Sequence, residues 1–486
     1  MFENKNVYLK TFRTDMSLNR KMGIILLIVG ISIGLLTVVA AVISYKTGVS
    51  DKNDNEDRDR KIDLLLKVAY MDDSDPMKKQ FLAQIKSLSE AEDDEIANIL
   101  NDSYLEGRGL LEKALSYYIA DDYFKSLGVF EYIRSNTKDD YELAISDSFI
   151  GRIYLNNILE KGVKPETYFI EALSLFNKYN LDTEIFLIQK AEIHTDLGIL
   201  YKQKGEIEKA REQYDYSLNL YKRLNFLYSG KYNINIGKQY QNIYSLYSGY
   251  NKFYDSLLLE AYDFKKKAYE AENNYVSSYL NTISSLGKLY VKQGEFNQAR
   301  TYFDEGEELI NAVSNKDYLG EDFLFIVIAF YINFNDYYSL IFYNTNNSDD
   351  LKLAKFYLEK AEQEFKSFKN IEGPKILRVY AACLYGLGLV NYNLNIYDKS
   401  LEYYEKSKKV RISLIDSENR KGVFEIELAH VYYGLAKLFD NKSFVNYDKY
   451  KAEFYAKNAI DIYVNFVNVD VSLGDYIDSM ELIINN

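Results

Sequence analysis

The run Leu197-Gly198-Ile199-Leu200-Tyr201, followed by Gly205, Ala210, Tyr214 and Ser217, constrains the fold of this chain more than any other feature. Intervals of three and four set these residues on one face of each of two helices, with Gly205 as the turn between them. Glycine at 198 removes the side chain that would hold the helices apart. Ala210 is therefore expected to approach it, while Tyr201 and Tyr214 fill the remaining gap.

The same punctuation returns at Gly151 (IGRIY), Gly287 (LGKLY), Gly388 (LGLVN) and Gly434 (YGLAK), at successive separations of 47, 89, 101 and 46 residues. The two wide gaps are about twice the narrow ones, as a repeating unit requires if two units lack the glycine. Those units are expected near residues 240 and 337, where YQNIYSLYSGY and FLFIVIAFYINF stand. Second helices carry a ladder of small residues: Ala299 with Phe303, Ala354 with Ala361, and Ala452 with Ala456 and Ala459. With a degenerate pair over Leu110–Arg134, the count is about eight helix pairs, each too small to be stable alone. Three prolines, 48 Tyr and 27 Phe with no Trp suit an all-α chain whose packing aromatic is tyrosine.

The pattern of Leu197, Gly198 and Tyr201 followed by Ala210 and Tyr214 resembles the tetratricopeptide repeat, an L-G-x-x-Y…A-x-x-x-F helix hairpin. The resemblance implies an α-α superhelix of antiparallel helix pairs, here over residues 105–470. Gly151, Gly198, Tyr201, Ala210, Tyr214, Gly287, Tyr290, Ala299, Phe303, Gly388 and Gly434 would be its packing positions. A period of about 45 exceeds the family's usual 34. Longer helices and loops, such as 344–349 and 440–446, absorb the difference.

His194 and His430 are the two histidines, each four residues before a repeat glycine. In the family that slot holds a large packing residue, so the resemblance makes both aromatic substitutes rather than metal ligands or catalysts. No HExxH, GxSxG, phosphate-binding glycine loop or Cys/His cluster occurs, and the chain reads as a non-enzyme without cofactor or metal. Cys383 lies among apolar residues and reads as a buried small hydrophobe.

Residues 24–45 form an uncharged apolar run of 22 residues, enough to cross a bilayer as a helix. The division that follows is a tail at 1–22, a transmembrane helix at 23–45, a charged linker at 46–60, a helical cap at 61–104, the repeats, and a capping helix at 471–486. A cleaved signal peptide is the alternative, against which the length of the run counts. Arg20 and Lys21 abut the span, which favours a single-pass cell-membrane protein with a cytoplasmic N-terminus and extracytoplasmic repeats. Gly30 and Gly34 make one GxxxG step, through which a homodimer can form. The alternating acids and amides after residue 50 fail as a calcium loop, because Glu56 stands where the turn glycine belongs. The net charge of −13 repels phosphate backbones and disfavours nucleic acid as a partner.

Positions one, four and five after each repeat glycine share the face turned away from the second helix. The resemblance implies that this face lines a groove for a peptide or protein partner. Arg152, Asn156, Lys202, Gln203, Lys288, Lys292, Tyr392 and Asn393 are the groove candidates, set against a bland reading as ordinary solvated positions. Leu435, Leu438 and Phe439 occupy the same positions in the last unit and are expected to be buried. The functional expectation is a membrane-anchored interaction scaffold. A peptide-sensing receptor that signals through a separate cytoplasmic partner is the alternative.

Overall fold

The computed structural model describes residues 62, 65–70, 108–120, 122–156, 163–178, 183–247, 254–313, 320–367, 373–417, 421–467 and 472–485. The expected membrane span, its GxxxG step, the charged linker and most of the helical cap lie outside the described residues. Every regular element among the described residues is helical. The chain divides into two compact units, one made of residues 1–69 and 92–163, the other of 70–91 and 164–486.

In the N-terminal unit, α1 (Arg108–Ile119) packs on α2 (Tyr123–Asn136), and α2 on α3 (Asp140–Leu155). Asp122 and Asp139 begin α2 and α3 by accepting hydrogen bonds from backbone N–H groups that a helix start leaves unpaired. Phe130 and Phe149 stack at 5.3 Å to form the core between them. Arg134 meets the buried Asp147 at 2.6 Å.

The C-terminal unit opens with α4 (Pro165–Lys178) and then runs as hairpins. They are α5 (Glu184–Gln203) with α6 (Ile207–Leu227), α7 (Asn233–Tyr247) with α8 (Asp255–Ala271), and α9 (Val276–Gln293) with α10 (Phe296–Ala312). Next come α11 (Gly320–Thr345) with α12 (Ser348–Ser367), α13 (Pro374–Asn393) with α14 (Tyr397–Ser417), and α15 (Lys421–Phe439) with α16 (Lys449–Tyr463). A last helix, α17 (Leu473–Asn485), packs on α16 and α15. Hairpins α7/α8 and α11/α12 are the two units that no marker glycine announced in series with the others.

Three turns between paired helices close alike. Gly205, Gly294 and Asn395 take left-handed backbone with φ of 75°, 74° and 59°. The next residue's N–H then returns to the helix end: Glu206 to Tyr201, Glu295 to Tyr290, Ile396 to Asn391, at 2.8–2.9 Å.

Second helices share a small, large, small register facing their partner: Ala210-Tyr214-Ser217, Ala261-Lys265-Ala268, Ala299-Phe303-Gly306, Ala354-Leu358-Ala361 and Ser400-Tyr404-Ser407, all buried. The ring at the large position is what Gly198, Gly287 and Gly388 accommodate. A Cβ on Gly198 would lie 2.4 Å from Tyr214, on Gly287 2.8 Å from Phe303, and on Gly388 2.5 Å from Tyr404. At Gly198 the three atoms nearest such a Cβ all belong to the Tyr214 ring, and in the equivalent hairpin the small residue Ser400 donates to the Gly388 carbonyl at 2.8 Å. Gly434 departs from the series and takes the edge of Tyr404 from the preceding hairpin, at 2.7 Å. Its own second helix offers Ala456 at the large position.

Successive second helices are joined by a recurring clasp in which a tyrosine hydroxyl donates to a glutamate. Tyr262 bonds Glu305 at 3.0 Å, Tyr357 bonds Glu307 at 3.1 Å, Tyr403 bonds Glu362 at 3.3 Å and Tyr455 bonds Glu405 at 3.2 Å. A lysine attends each carboxylate: Lys266, Lys360, Lys366 and Lys408 respectively. At these four positions tyrosine is required, since phenylalanine fills the same space but cannot hold the carboxylate.

Among the described residues, Asp322–Thr345 is long and apolar enough to cross a membrane. Within this fold it is a core helix: Phe323, Leu324, Val327, Ile328, Phe330 and Phe334 are at most 1% exposed.

Candidate partner-binding face

The equivalent glycine contacts of α5, α9 and α13 put equivalent positions of these first helices on one face, turned from the second helices. Lys202, Gln203, Lys288 and Lys292 are exposed there. Lys202 reaches the next first helix and donates to Ser245 Oγ on α7 at 2.7 Å, while partial desolvation lowers its pKa. Tyr392 and Asn393 are half-buried. The Tyr392 ring lies 5.9 Å from that of Tyr397, and Asn393 Nδ2 is 3.5 Å from the Tyr343 hydroxyl on α11.

Arg152 and Asn156 belong to the N-terminal unit, as does Gly151, which is buried in α3. Arg152 is not the exposed groove residue expected of it. It is 9% exposed, with its guanidinium 6.0 Å from the Phe149 ring, because α3 is buried on every side from Ala144 to Ile153. Asn156 is exposed and closes the C-terminus of α3.

Three contributors to the face escaped sequence reasoning: Ser245 on α7, and Asp336 and Tyr343 on α11. α7 does carry a glycine of the marker kind, Gly237, but it stands outside the sequence series of markers, and α11 has none beyond its first residue. The small, large, small register of α8 and α12 was the available signal. Asp336 faces water and accepts from Asn335 Nδ2 at 3.0 Å. Flanking helices still exclude much of the solvent around its carboxyl, and this desolvation pushes the pKa up to about 6 against the opposing pull of Lys288.

Toward its C-terminal end the face becomes aromatic. The Tyr433 and Tyr476 rings meet edge-on at 4.9 Å, and the Tyr433 hydroxyl lies 3.4 Å from Ser479 Oγ. Desolvation raises the pKa of Tyr385, with further contributions from Tyr476 and Tyr433. Leu435, Leu438 and Phe439 are buried as expected, Phe439 against Phe444 and Tyr455.

Both histidines sit between packed helices. His194 Nδ1 is 2.8 Å from Gln213 Oε1 and its ring 5.2 Å from Tyr216; burial lowers its pKa. His430 Nδ1 lies 2.7 Å from the Tyr463 hydroxyl, and its ring 5.1 Å from Tyr476. These are packing roles. Cys383 is fully buried, donates to the Leu358 carbonyl at 3.3 Å, and has its thiol pKa raised by burial.

Among the described residues, no group of His, Cys, Asp and Glu is arranged to hold a metal ion. A shallow, open depression lined by Glu208, Arg211, Glu212, Asp215, Tyr216 and Asn219 belongs to one face of α6, so its groups do not converge from different elements.

No family model matches the chain, and no curated protein does. Similar solved structures are of tetratricopeptide type. The apo quorum sensor NprR from B. thuringiensis is 14% identical, with a TM-score of 0.41 over 78% of this chain and 97% of that one. Apo RapI is 18% identical, with a TM-score of 0.40 over 63% and 97%. A tetratricopeptide repeat protein from Parabacteroides merdae is 12% identical, with a TM-score of 0.37 over 66% and 97%. Similarity this distant is confined to architecture, and what those proteins bind stays with them.

Proposed function

We propose that the chain is a membrane-anchored scaffold whose first-helix face in the C-terminal unit holds a peptide or protein partner on the extracytoplasmic side. The observation that carries this reading is a division of labour. The inward faces of the hairpins are committed to packing, while Lys202, Gln203, Lys288 and Lys292 project into water from one shared face. Exposed cations in a chain of net charge −13 offer an acidic partner a local attraction.

A photo-cross-linking residue at Lys292, compared with one at Lys457 on the outer side of α16, tests the face in cells. Cross-links to a discrete partner from position 292, lost on charge reversal of Lys288, are expected. Equal labelling from both positions overturns the assignment. Protease treatment of intact cells tests the topology separately, since extracytoplasmic repeats are digested and cytoplasmic ones survive.

A further inference from the structure

The large position of the second helices holds Tyr214, Phe303, Leu358 and Tyr404 in four hairpins, and in α8 it holds Lys265. Lys265 is 2% exposed. Its stem lies against Gly237 of α7, where a Cβ would come within 2.6 Å of Lys265 Cγ and 3.1 Å of the Ala261 carbonyl. The ammonium donates to Gln241 Oε1 on α7 and, at 2.9 Å, to Thr282 Oγ1 on α9, with the Ser278 carbonyl at 3.5 Å. The position that elsewhere seals a hairpin with carbon therefore ties three helices through polar atoms.

Polar contacts continue on both sides of this residue. Gln239 of α7 donates to Thr195 of α5 at 3.0 Å, and Thr195 lies 2.8 Å from Ser217 of α6. The buried face of α9 begins with Ser277, Thr282 and Ser284 among its apolar residues. A continuous apolar cluster runs from Val276 to Val390, and among the described residues α8 touches it through the half-buried rings of Tyr262 and Tyr269. Tyr262 and Tyr269 stand 5.5 and 5.4 Å from Tyr279.

We infer that the junction between α8 and α9 is a built-in joint, at which α7, α8 and the start of α9 unfold as a local unit before the rest of the C-terminal unit, with Lys265 setting the cost of opening. The reason is an asymmetry in what water does on entry. Separating an apolar hairpin exposes phenyl rings, which water opposes in proportion to area. Separating helices at Lys265 returns an ammonium, an amide and a hydroxyl to water, which replaces every hydrogen bond that is lost and hydrates the charge. In a linear array that contacts only its neighbours, the weakest junction defines where blocks separate. The inference is independent of what the first-helix face binds.

Hydrogen exchange of the full chain, followed by mass spectrometry at low urea, tests it. Amides of α7, α8 and residues 276–284 should exchange about tenfold or more faster than those of α11, as sub-global opening requires. Lys265→Met, similar in length and apolar, should slow exchange in that segment and leave α11 unchanged. Equal protection of residues 255–284 and 323–345 in the wild type overturns the joint. So does a Lys265→Met protein in which the segment exchanges faster. The wild-type pattern decides alone if the variant does not fold.

Discussion

Hairpins α7/α8 and α9/α10 are built on the same plan and filled with opposite chemistry. In each, a first-helix glycine lies against the large residue of the second helix: Gly237 against Lys265, Gly287 against Phe303. Close approach of the backbones is common to both. What differs is whether carbon or a hydrogen-bonded ammonium occupies the space, and so whether the hairpin joins a continuous apolar cluster or interrupts it. The architecture thus depends on the shape of a slot, while cohesion along the array depends on what fills it.

The strongest way to break this comparison is to empty the apolar slot. Phe303→Ala should cost about 3–5 kcal/mol, because the ring is fully buried against Phe330 and Phe334 and its neighbours cannot close the cavity. Urea unfolding measures it; a loss below about 1 kcal/mol would mean that the slot collapses freely.

Filling the glycine sites tests the shape argument from the other side. Gly287→Ala and Gly237→Ala should each destabilise by about 1–3 kcal/mol through overpacking. The Gly237 substitution has the less yielding neighbour, a backbone carbonyl 3.1 Å away. If Gly237→Ala is tolerated and Gly287→Ala is not, the two slots are not equivalent in shape. Comparison of denaturation midpoints is sufficient.

The clasps between second helices should matter less. Tyr357→Phe keeps the ring but removes the bond to Glu307, and a loss of about 1 kcal/mol is expected, with Lys360 still attending the carboxylate. An unchanged midpoint would reduce the clasp to a packing contact.

The smallest expected effect is at Asp336. Its folded pKa of about 6 exceeds the ordinary 3.8, so the folded protein keeps this proton longer than the unfolded chain does. The carboxylate therefore weakens the fold above about pH 6, and the penalty fades as pH falls toward 3.8. Asp336→Asn should raise stability at pH 7 and flatten the dependence between pH 4 and 6. A steeper dependence in the variant would reverse the sign.

Much of this organisation could be read in the residues. Gly198, Gly287 and Gly388 mark matching sites, and the spacing between them located α7/α8 and α11/α12 without a glycine of their own in the series. The packing of the half-buried His194 and His430 against neighbouring helices followed from their place before a repeat glycine, and the burial of Cys383 from its apolar surroundings. Arg152 was misjudged because a position counted from a glycine carries no information on how deeply that helix is buried. Asp336 and Tyr343 went unnoticed because register on α11 is set by its partner helix.

Helical periodicity, the small residues and the turn glycines act within one hairpin, so local chemistry alone determined that this chain forms helix pairs and where each turns. Which ring meets which glycine, which tyrosine reaches which glutamate, and that a lysine occupies an aromatic's place in the core were decided by tertiary structure. Those contacts join residues up to about 50 apart, across hairpins whose loops differ in length, and no fixed interval in the sequence encodes them.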